Sequence, residues 1–256
     1  MAHIDEGAET GSAATQETEP AKPWSRRRML GDSLRVFAAG LLAPTALACS
    51  SSDEDPPPAT TNPRPTPTTP AAALDELKLG NRRFVDGAPL VRSTAEIEKI
   101  WTEITVGQMP FATILGCADS RLAPELIFDQ FFGDIFVVRE AGNIARSPTN
   151  LGSLEYAQEV LASKVLVVLG HTSCGAVKAA FDDAKPGGNI QSIVDDIRPG
   201  IAGAPDLDAA IAANVKAVIA QIRTGSPLLA KAETDGKMTI VGAVYKIASG
   251  AVTFLP

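Results

Sequence analysis

The chain contains 256 residues, of which 45% are hydrophobic and 21% are charged. These proportions are typical of a soluble globular protein, and the length suits one domain of ordinary size with additional segments. The formal net charge of −7 at pH 7 argues against a broad nucleic-acid-binding face, which would require a basic surface.

The N-terminal part of the sequence has the features of an export signal. Ser25–Leu30 contains three consecutive arginines and resembles a twin-arginine motif. The uncharged apolar stretch Val36–Leu47 follows, and it is too short for an ordinary membrane-spanning helix. Thr45–Cys49 resembles a bacterial lipobox, in which the cysteine is acylated. The same residues contain an Ala-x-Ala cleavage site for ordinary secretion, so a lipidated Cys49 and a soluble cleaved chain both remain open.

These features predict three segments. Residues 1–48 form an export signal peptide, residues 49–72 comprise a lipidated Cys49 with a disordered Pro/Thr-rich tether, and residues 73–256 form the folded domain. A tether of this composition cannot bury a core and would hold the domain away from a membrane surface. We therefore expect an exported protein, periplasmic or on the cell surface, that contacts the membrane only through its N-terminal lipid anchor.

Helices and strands alternate along the folded part. Predicted helices cover residues 73–86, 94–103, 152–162, 190–197 and 207–222, with a helical turn at 126–130 and a further helix that begins just after Cys174. Predicted strands cover residues 111–116, 135–139, 165–169, 238–245 and 252–255, the last two joined by a hairpin turn near Ser249 and Gly250. This alternation predicts an α/β fold, with a mostly parallel β-sheet that has an antiparallel edge and is flanked by helices.

Two short motifs follow two of the predicted strands. Cys117–Arg121 has the pattern Cys-x-Asp-x-Arg, and His171–Gly175 has the pattern His-x-x-Cys-Gly. Because the carboxyl ends of parallel strands meet at one edge of a sheet, we expect two cysteines and one histidine to converge there. Two thiolates and one imidazole suit zinc and leave the fourth tetrahedral position open, as in catalytic sites.

The sequence leaves two alternatives to an open zinc site. Asp119 could itself occupy the fourth position, and Cys117 and Cys174 could form a disulfide in an oxidising compartment. The remaining cysteine and histidine, Cys49 and His3, belong to the N-terminal segment.

The ordered set of motifs resembles the β-class carbonic anhydrases over residues 74–255. The other segments that carry the resemblance are Gly80–Phe84, Phe136–Arg139, Ala141–Asn143 and Val241–Tyr245. The resemblance implies a carbonate dehydratase, in which zinc-bound hydroxide hydrates carbon dioxide reversibly to bicarbonate and a proton. It also implies one Zn²⁺ per chain on Cys117, His171 and Cys174. The resemblance further implies that Arg121 holds the carboxylate of Asp119. That carboxylate would accept a hydrogen bond from the zinc-bound hydroxide.

The resemblance also implies a substrate pocket and a homodimer or higher homo-oligomer. Gln108, Phe136 and Tyr156 match pocket residues by spacing, and Gly175, which completes the second motif, is the fourth expected substrate-binding residue. In the family, some of these residues come from a partner subunit. Phe136 and Tyr156 are equally well interpreted as ordinary core residues.

Two thiolates and a neutral imidazole carry no net charge with Zn²⁺, which predicts a water pKa on the alkaline side and activity that rises with pH. Three other functions remain open. They are a thiol/disulfide redox protein that uses Cys117 and Cys174, a surface lipoprotein with structural zinc, and a cysteine hydrolase with Cys174 as nucleophile.

Overall fold

The computed structural model of the chain describes residues 66–256. The predicted export signal and Cys49 lie outside these residues, as does most of the predicted tether. No helix between residues 66 and 256 combines the length and the hydropathy that a membrane crossing requires.

The described chain alternates helices and strands much as the sequence predicts. The helices are α1 Pro70–Val85, α2 Thr94–Ile104, α3 Pro124–Ile127, α4 Pro148–Glu159, α5 Gly175–Phe181, α6 Gly188–Ile197, α7 Leu207–Gly225 and α8 Pro227–Thr234. The strands are β1 Ala112–Gly116, β2 Ile135–Arg139, β3 Val165–His171, β4 Thr239–Tyr245 and β5 Val252–Phe254. Short 3₁₀ turns lie at Ala141–Asn143 and Arg198–Ile201.

The five strands form one sheet in the order β2-β1-β3-β4-β5. The first four strands are parallel, and β5 runs antiparallel to β4 at one edge. The predicted mostly parallel sheet with an antiparallel edge is therefore confirmed. Because the chain moves from β1 outward to β2 and then back to β3 on the other side, the strand order reverses between β1 and β3.

Apolar side chains cover both faces of the sheet, as the uninterrupted hydrophobic runs of β1 and β3 require. Neighbouring strand residues alternate between the faces: Ile114 and Val167 pack in one cluster, whereas Leu115 and Val168 pack in the other. Residues from α1, α5, α6 and the first half of α7 fill the first cluster, and residues from α4, α8 and the rest of α7 fill the second. Two packed faces fix the strand ends, and these ends carry the candidate site.

Candidate metal centre

The two motifs lie at the carboxyl ends of adjacent central strands. Cys117 directly follows β1, and His171 is the last residue of β3. Gly116 pairs with Leu169, so the two strands end at almost the same level of the sheet. This is the point where the strand order reverses, and ligand sites of open α/β sheets form in the crevice at such a point.

A tight turn returns the chain from His171 to Cys174. Ser173 within the turn has a φ of 57°, in the left-handed region that non-glycine residues seldom occupy. The amide of Thr172 donates to the carbonyl of Tyr245 at 3.0 Å, and the amide of Ile247 donates to Thr172 Oγ1 at 3.1 Å. The end of β4 therefore anchors the turn, and Cys174 enters α5 beside the histidine.

The side chains of Cys117, His171 and Cys174 converge in the protein interior. Their ligand atoms all lie within 4.8 Å of one another, and all three residues are buried. Neither cysteine of the described range forms a disulfide. A buried group of two sulfur atoms and one ring nitrogen is the donor set that zinc prefers.

The histidine ring is oriented for a ligand at Nε2. Its Nδ1 lies 3.0 Å from the carbonyl oxygen of Thr172, which can only accept a hydrogen bond, so Nδ1 carries the proton. Among the described residues, none forms a hydrogen bond with Nε2, which is fully buried. A buried nitrogen lone pair without a partner is costly unless it binds something, and this arrangement is typical of metal-ligating histidines.

The two thiols stabilise one thiolate between them. The neighbouring Cys174 thiol holds the pKa of Cys117 below its usual range, against the opposing effect of burial. The amide of Gly142, 3.3 Å from Cys117 Sγ, also lowers this pKa. Conversely, the bond to Cys117 and burial raise the pKa of Cys174. Without a cation at least one sulfur stays protonated, whereas a bound divalent cation would favour two thiolates.

Asp119 faces the cluster and is held by Arg121. Arg121 Nε donates to Asp119 Oδ1 at 2.8 Å, and Nη2 donates to Oδ2 at 2.7 Å, in a bidentate pair. The guanidinium holds the pKa of Asp119 well below its usual range. Asp119 Oδ2 lies 3.9 Å from His171 Nε2, so an ionised, fixed carboxylate borders the ligand atoms.

Arg139, the last residue of β2, supports the first motif from the neighbouring strand. Its Nε donates to the carbonyl of Cys117 at 3.0 Å, and its Nη2 donates to the carbonyl of Asp119 at 2.6 Å. In the sequence, Arg139 belongs to the family-like segment Phe136–Arg139, and no role was predicted for it. Its place at the end of a predicted strand put it at the same edge of the sheet as Cys117, but no sequence signal indicated which carbonyls it would bind.

The predicted pocket residues do not gather around the cluster of their own chain. Gln108 is exposed and precedes β1, so this strand separates it from Cys117 by roughly 16 Å. Phe136 pairs with Thr113 near the amino end of β1, and its ring lies 6.3 Å from that of Tyr156, which is 46% exposed. Of the four predicted pocket residues, Gly175 alone adjoins the cluster, at the start of α5.

Comparison with known proteins identifies the family. The sequence model of the family described as carbonic anhydrase matches residues 112–252. The chain belongs to the β-class carbonic anhydrases. It is 43% identical over 194 residues to a carbonic anhydrase of Mycolicibacterium smegmatis, which covers 72% of this chain and 93% of that protein. It is 40% identical over 192 residues to carbonic anhydrase 2 of Mycobacterium tuberculosis, and this match covers 72% of this chain and 91% of that protein.

Solved structures of β-carbonic anhydrases share the fold. A Coccomyxa β-carbonic anhydrase in complex with acetazolamide has a TM-score of 0.56 and 28% identity, and covers 71% of this chain and 86% of its own. A tetrameric β-carbonic anhydrase from Sordaria macrospora has a TM-score of 0.58 and 24% identity, and the match covers 63% of this chain and 88% of that chain. Both the predicted fold class and the family resemblance are thus confirmed.

Proposed function

We propose that this β-class chain is a zinc-dependent carbonic anhydrase, which interconverts carbon dioxide and bicarbonate. The observation that carries the proposal is the buried convergence of Cys117, His171 and Cys174 beside the Asp119–Arg121 pair. Cys117 Sγ, Cys174 Sγ and His171 Nε2 would hold one Zn²⁺. When bound, zinc supplies a Lewis acid that lowers the pKa of a coordinated water from 15.7 to about 7.

The residues around the ligands orient the reacting water. If zinc were bound, its three protein ligands would leave a position for this water. Asp119 is ionised, so its Oδ2 can only accept a hydrogen bond. A water that donates to Oδ2 would be oriented by this bond. Arg121 holds both carboxylate oxygens, and its Nη2 also donates to the carbonyl of Ser173 at 3.3 Å. Arg121 thereby joins the two motifs and fixes the direction in which Asp119 points.

Stopped-flow hydration of carbon dioxide by the purified full chain tests the proposal. We expect rapid hydration that increases with pH, is lost after zinc chelation and returns when zinc is restored. Absence of hydration by a zinc-loaded sample would contradict the proposal and favour a structural metal. If restored zinc recovers the activity of a chelated sample only when a thiol reductant is also added, Cys117 and Cys174 oxidise when the ion is removed.

We further propose that two copies of the chain assemble and that each completes the other's site. Gln108, Phe136 and Tyr156 cannot reach the cluster of their own chain, and β2 is an edge strand whose side chains are only half-buried except for the exposed Arg139. An edge strand of this kind is suited to be covered by another chain. Exposed apolar side chains near Gln108 support the same assembly, since Val106 is 90% and Met109 83% exposed.

Mixing two inactive variants tests this assembly. Gln108→Ala retains the ligands and Cys117→Ser retains Gln108, so a mixed dimer has one complete site if Gln108 acts across the interface. Co-expression should then restore about a quarter of the wild-type activity, because random pairing makes about half of the dimers mixed. A monomer in sedimentation experiments, or no recovery in co-purified mixed dimers, would refute the shared site.

We also propose that the protein is exported through its twin-arginine-like signal and anchored to the membrane by acylated Cys49. The order of basic motif, apolar stretch and lipobox-like segment in residues 25–49 supports this location. In producing cells, radiolabelled palmitate should label the wild-type chain and not Cys49→Ser. Secretion of an unlabelled wild-type chain cleaved after Ala48 would favour the soluble alternative.

A further inference from the structure

A buried asparagine far along the sequence is connected to the candidate metal ligand Cys117. Asn214 lies on α7 and is 2% exposed. The other buried residues of α7 are apolar, namely Ala210, Ile211, Val215, Val218, Ile219 and Ile222. Asn214 Nδ2 donates to the carbonyl of Gly142 at 2.9 Å, and the amide of Gly142 donates to Cys117 Sγ at 3.3 Å.

The backbone at Gly142 is unusual and needs support. Gly142 has a φ of 74° and Asn143 a φ of 48°, so two consecutive residues occupy the left-handed region. A Cβ on Gly142 would lie 2.6 Å from Ile197 Cδ1, so the end of that side chain would have to move, and the positive φ would strain any larger residue there. Glycine is conformationally permissive, so nothing intrinsic to Gly142 holds its amide toward the sulfur.

We infer that Asn214 is a positioning residue, which keeps the Gly142 amide directed at Cys117 Sγ and thereby sets the affinity of the metal centre. The carbonyl and the amide of Gly142 belong to successive peptide units that are joined at its Cα. Fixing the carbonyl therefore restricts the rotation that would turn the amide away from the sulfur. Hydrogen bonds to a ligating sulfur orient it, stabilise its thiolate form against protonation and lower the energy of its lone pairs, and loss of such outer contacts typically costs 10–100-fold in metal affinity.

The inference rests on the proposed zinc site, so the experiment first establishes that site. Co²⁺ added to the metal-free full-length wild-type chain should produce a sulfur-to-cobalt charge-transfer band. Absence of this band would overturn the zinc site itself. Its presence allows the role of Asn214 to be tested separately.

The test compares Asn214→Leu with Asn81→Leu. Asn81 of α1 is a matched control, since it is 6% exposed and donates through Nδ2 to the carbonyls of Ile127 and Gly250 at 3.0 and 2.9 Å. Both variants remove a buried amide donor and should lower the unfolding temperature of the metal-free protein. Asn214→Leu alone should raise the zinc dissociation constant, by about tenfold, and move the cobalt band to lower energy.

A purely structural role for Asn214 would give a different result. In that case the dissociation constant and the cobalt band of Asn214→Leu match the wild type, or both variants change them equally, and the inference is overturned. If Asn214→Leu does not fold, Asn214→Ser tests the same bond, because its shorter hydroxyl side chain cannot span the distance to the Gly142 carbonyl. Wild-type affinity and an unchanged band in Asn214→Ser would equally refute the inference.

Discussion

Replacing Cys117 with serine should lower the rate of carbon dioxide hydration by about three orders of magnitude, since a metal ion contributes several kcal/mol of stabilisation and each 1.36 kcal/mol is a tenfold rate change. A serine hydroxyl does not ionise near neutral pH and is a harder ligand than a thiolate, so it holds zinc poorly. The residue is 4% exposed and serine has almost the same shape, so the fold should be retained. Stopped-flow hydration and the zinc content of the purified protein measure the effect.

The chain offers a matched control for this substitution. Cys49→Ser makes the same chemical change at the third cysteine, which precedes the predicted folded domain. It should leave both hydration by the purified protein and its zinc content unchanged. If Cys117→Ser retained a full zinc content and wild-type hydration, the assignment of Cys117 as a ligand would be wrong.

Replacing Arg121 with glutamine should lower hydration by about 100-fold, the size of effect seen when one oriented polar contact to the reacting group is removed. Both side-chain hydrogen bonds to Asp119 disappear in this variant. The carboxylate then keeps only the backbone amide of residue 121, which donates to Oδ1 at 3.0 Å, and its Oδ2, 3.9 Å from His171 Nε2, can turn toward the ligand atoms. Arg121→Lys, which keeps the charge but loses the bidentate fork, should have an intermediate rate.

The pH dependence of this variant separates orientation from ionisation. Arg121 holds the pKa of Asp119 below its usual range, so removing Arg121 raises that pKa toward about 3.9, the ordinary aspartate value. Asp119 therefore stays ionised above about pH 6 in both proteins, and raising the pH further should not close the gap between their rates. Recovery of the wild-type rate at high pH would show that ionisation, and not orientation, is the role of Arg121.

Arg146→Gln is the control for Arg121→Gln. Arg146 is about as exposed as Arg121 and also pairs with a carboxylate, with Nε 3.4 Å from Asp196 Oδ1. Its substitution should leave hydration unchanged, because surface ion pairs contribute little to stability. An equal loss of rate in both variants would indicate a general effect of surface charge.

Local sequence signals predicted the strands and the motifs well but missed two helix starts. Helix α4 begins at Pro148, four residues before the predicted start, and α8 at Pro227 was not predicted at all. Both starts have the same signal: a serine caps the helix by accepting a backbone amide, and a proline occupies the first turn. Ser147 and Ser226 are these caps, so the Ser-Pro pairs at 147–148 and 226–227 were sequence signals for both helix starts.

The hydrogen bonds that support the candidate site from distant residues could not be predicted from the sequence. Cys117, His171 and Cys174 could be predicted because each follows a recognisable strand and carries metal-binding chemistry. Arg139 and Asn214 contact the site through backbone carbonyls, and no residue pattern specifies which carbonyl a distant side chain will meet. Such contacts depend on the register of strands and the packing of helices, which the sequence determines only through the complete fold.

The reversal of strand order between β1 and β3 makes the candidate centre a crosslink between distant parts of the chain. An ion on Cys117 and His171 would join the ends of two neighbouring strands that the chain connects only through β2 and α4. Unfolding must then release the ion, so the free energy of unfolding should rise with the free zinc concentration, by about 2.7 kcal/mol at one hundred times the dissociation constant. The thermal resistance of this protein would thus be set partly by the metal supply of its compartment.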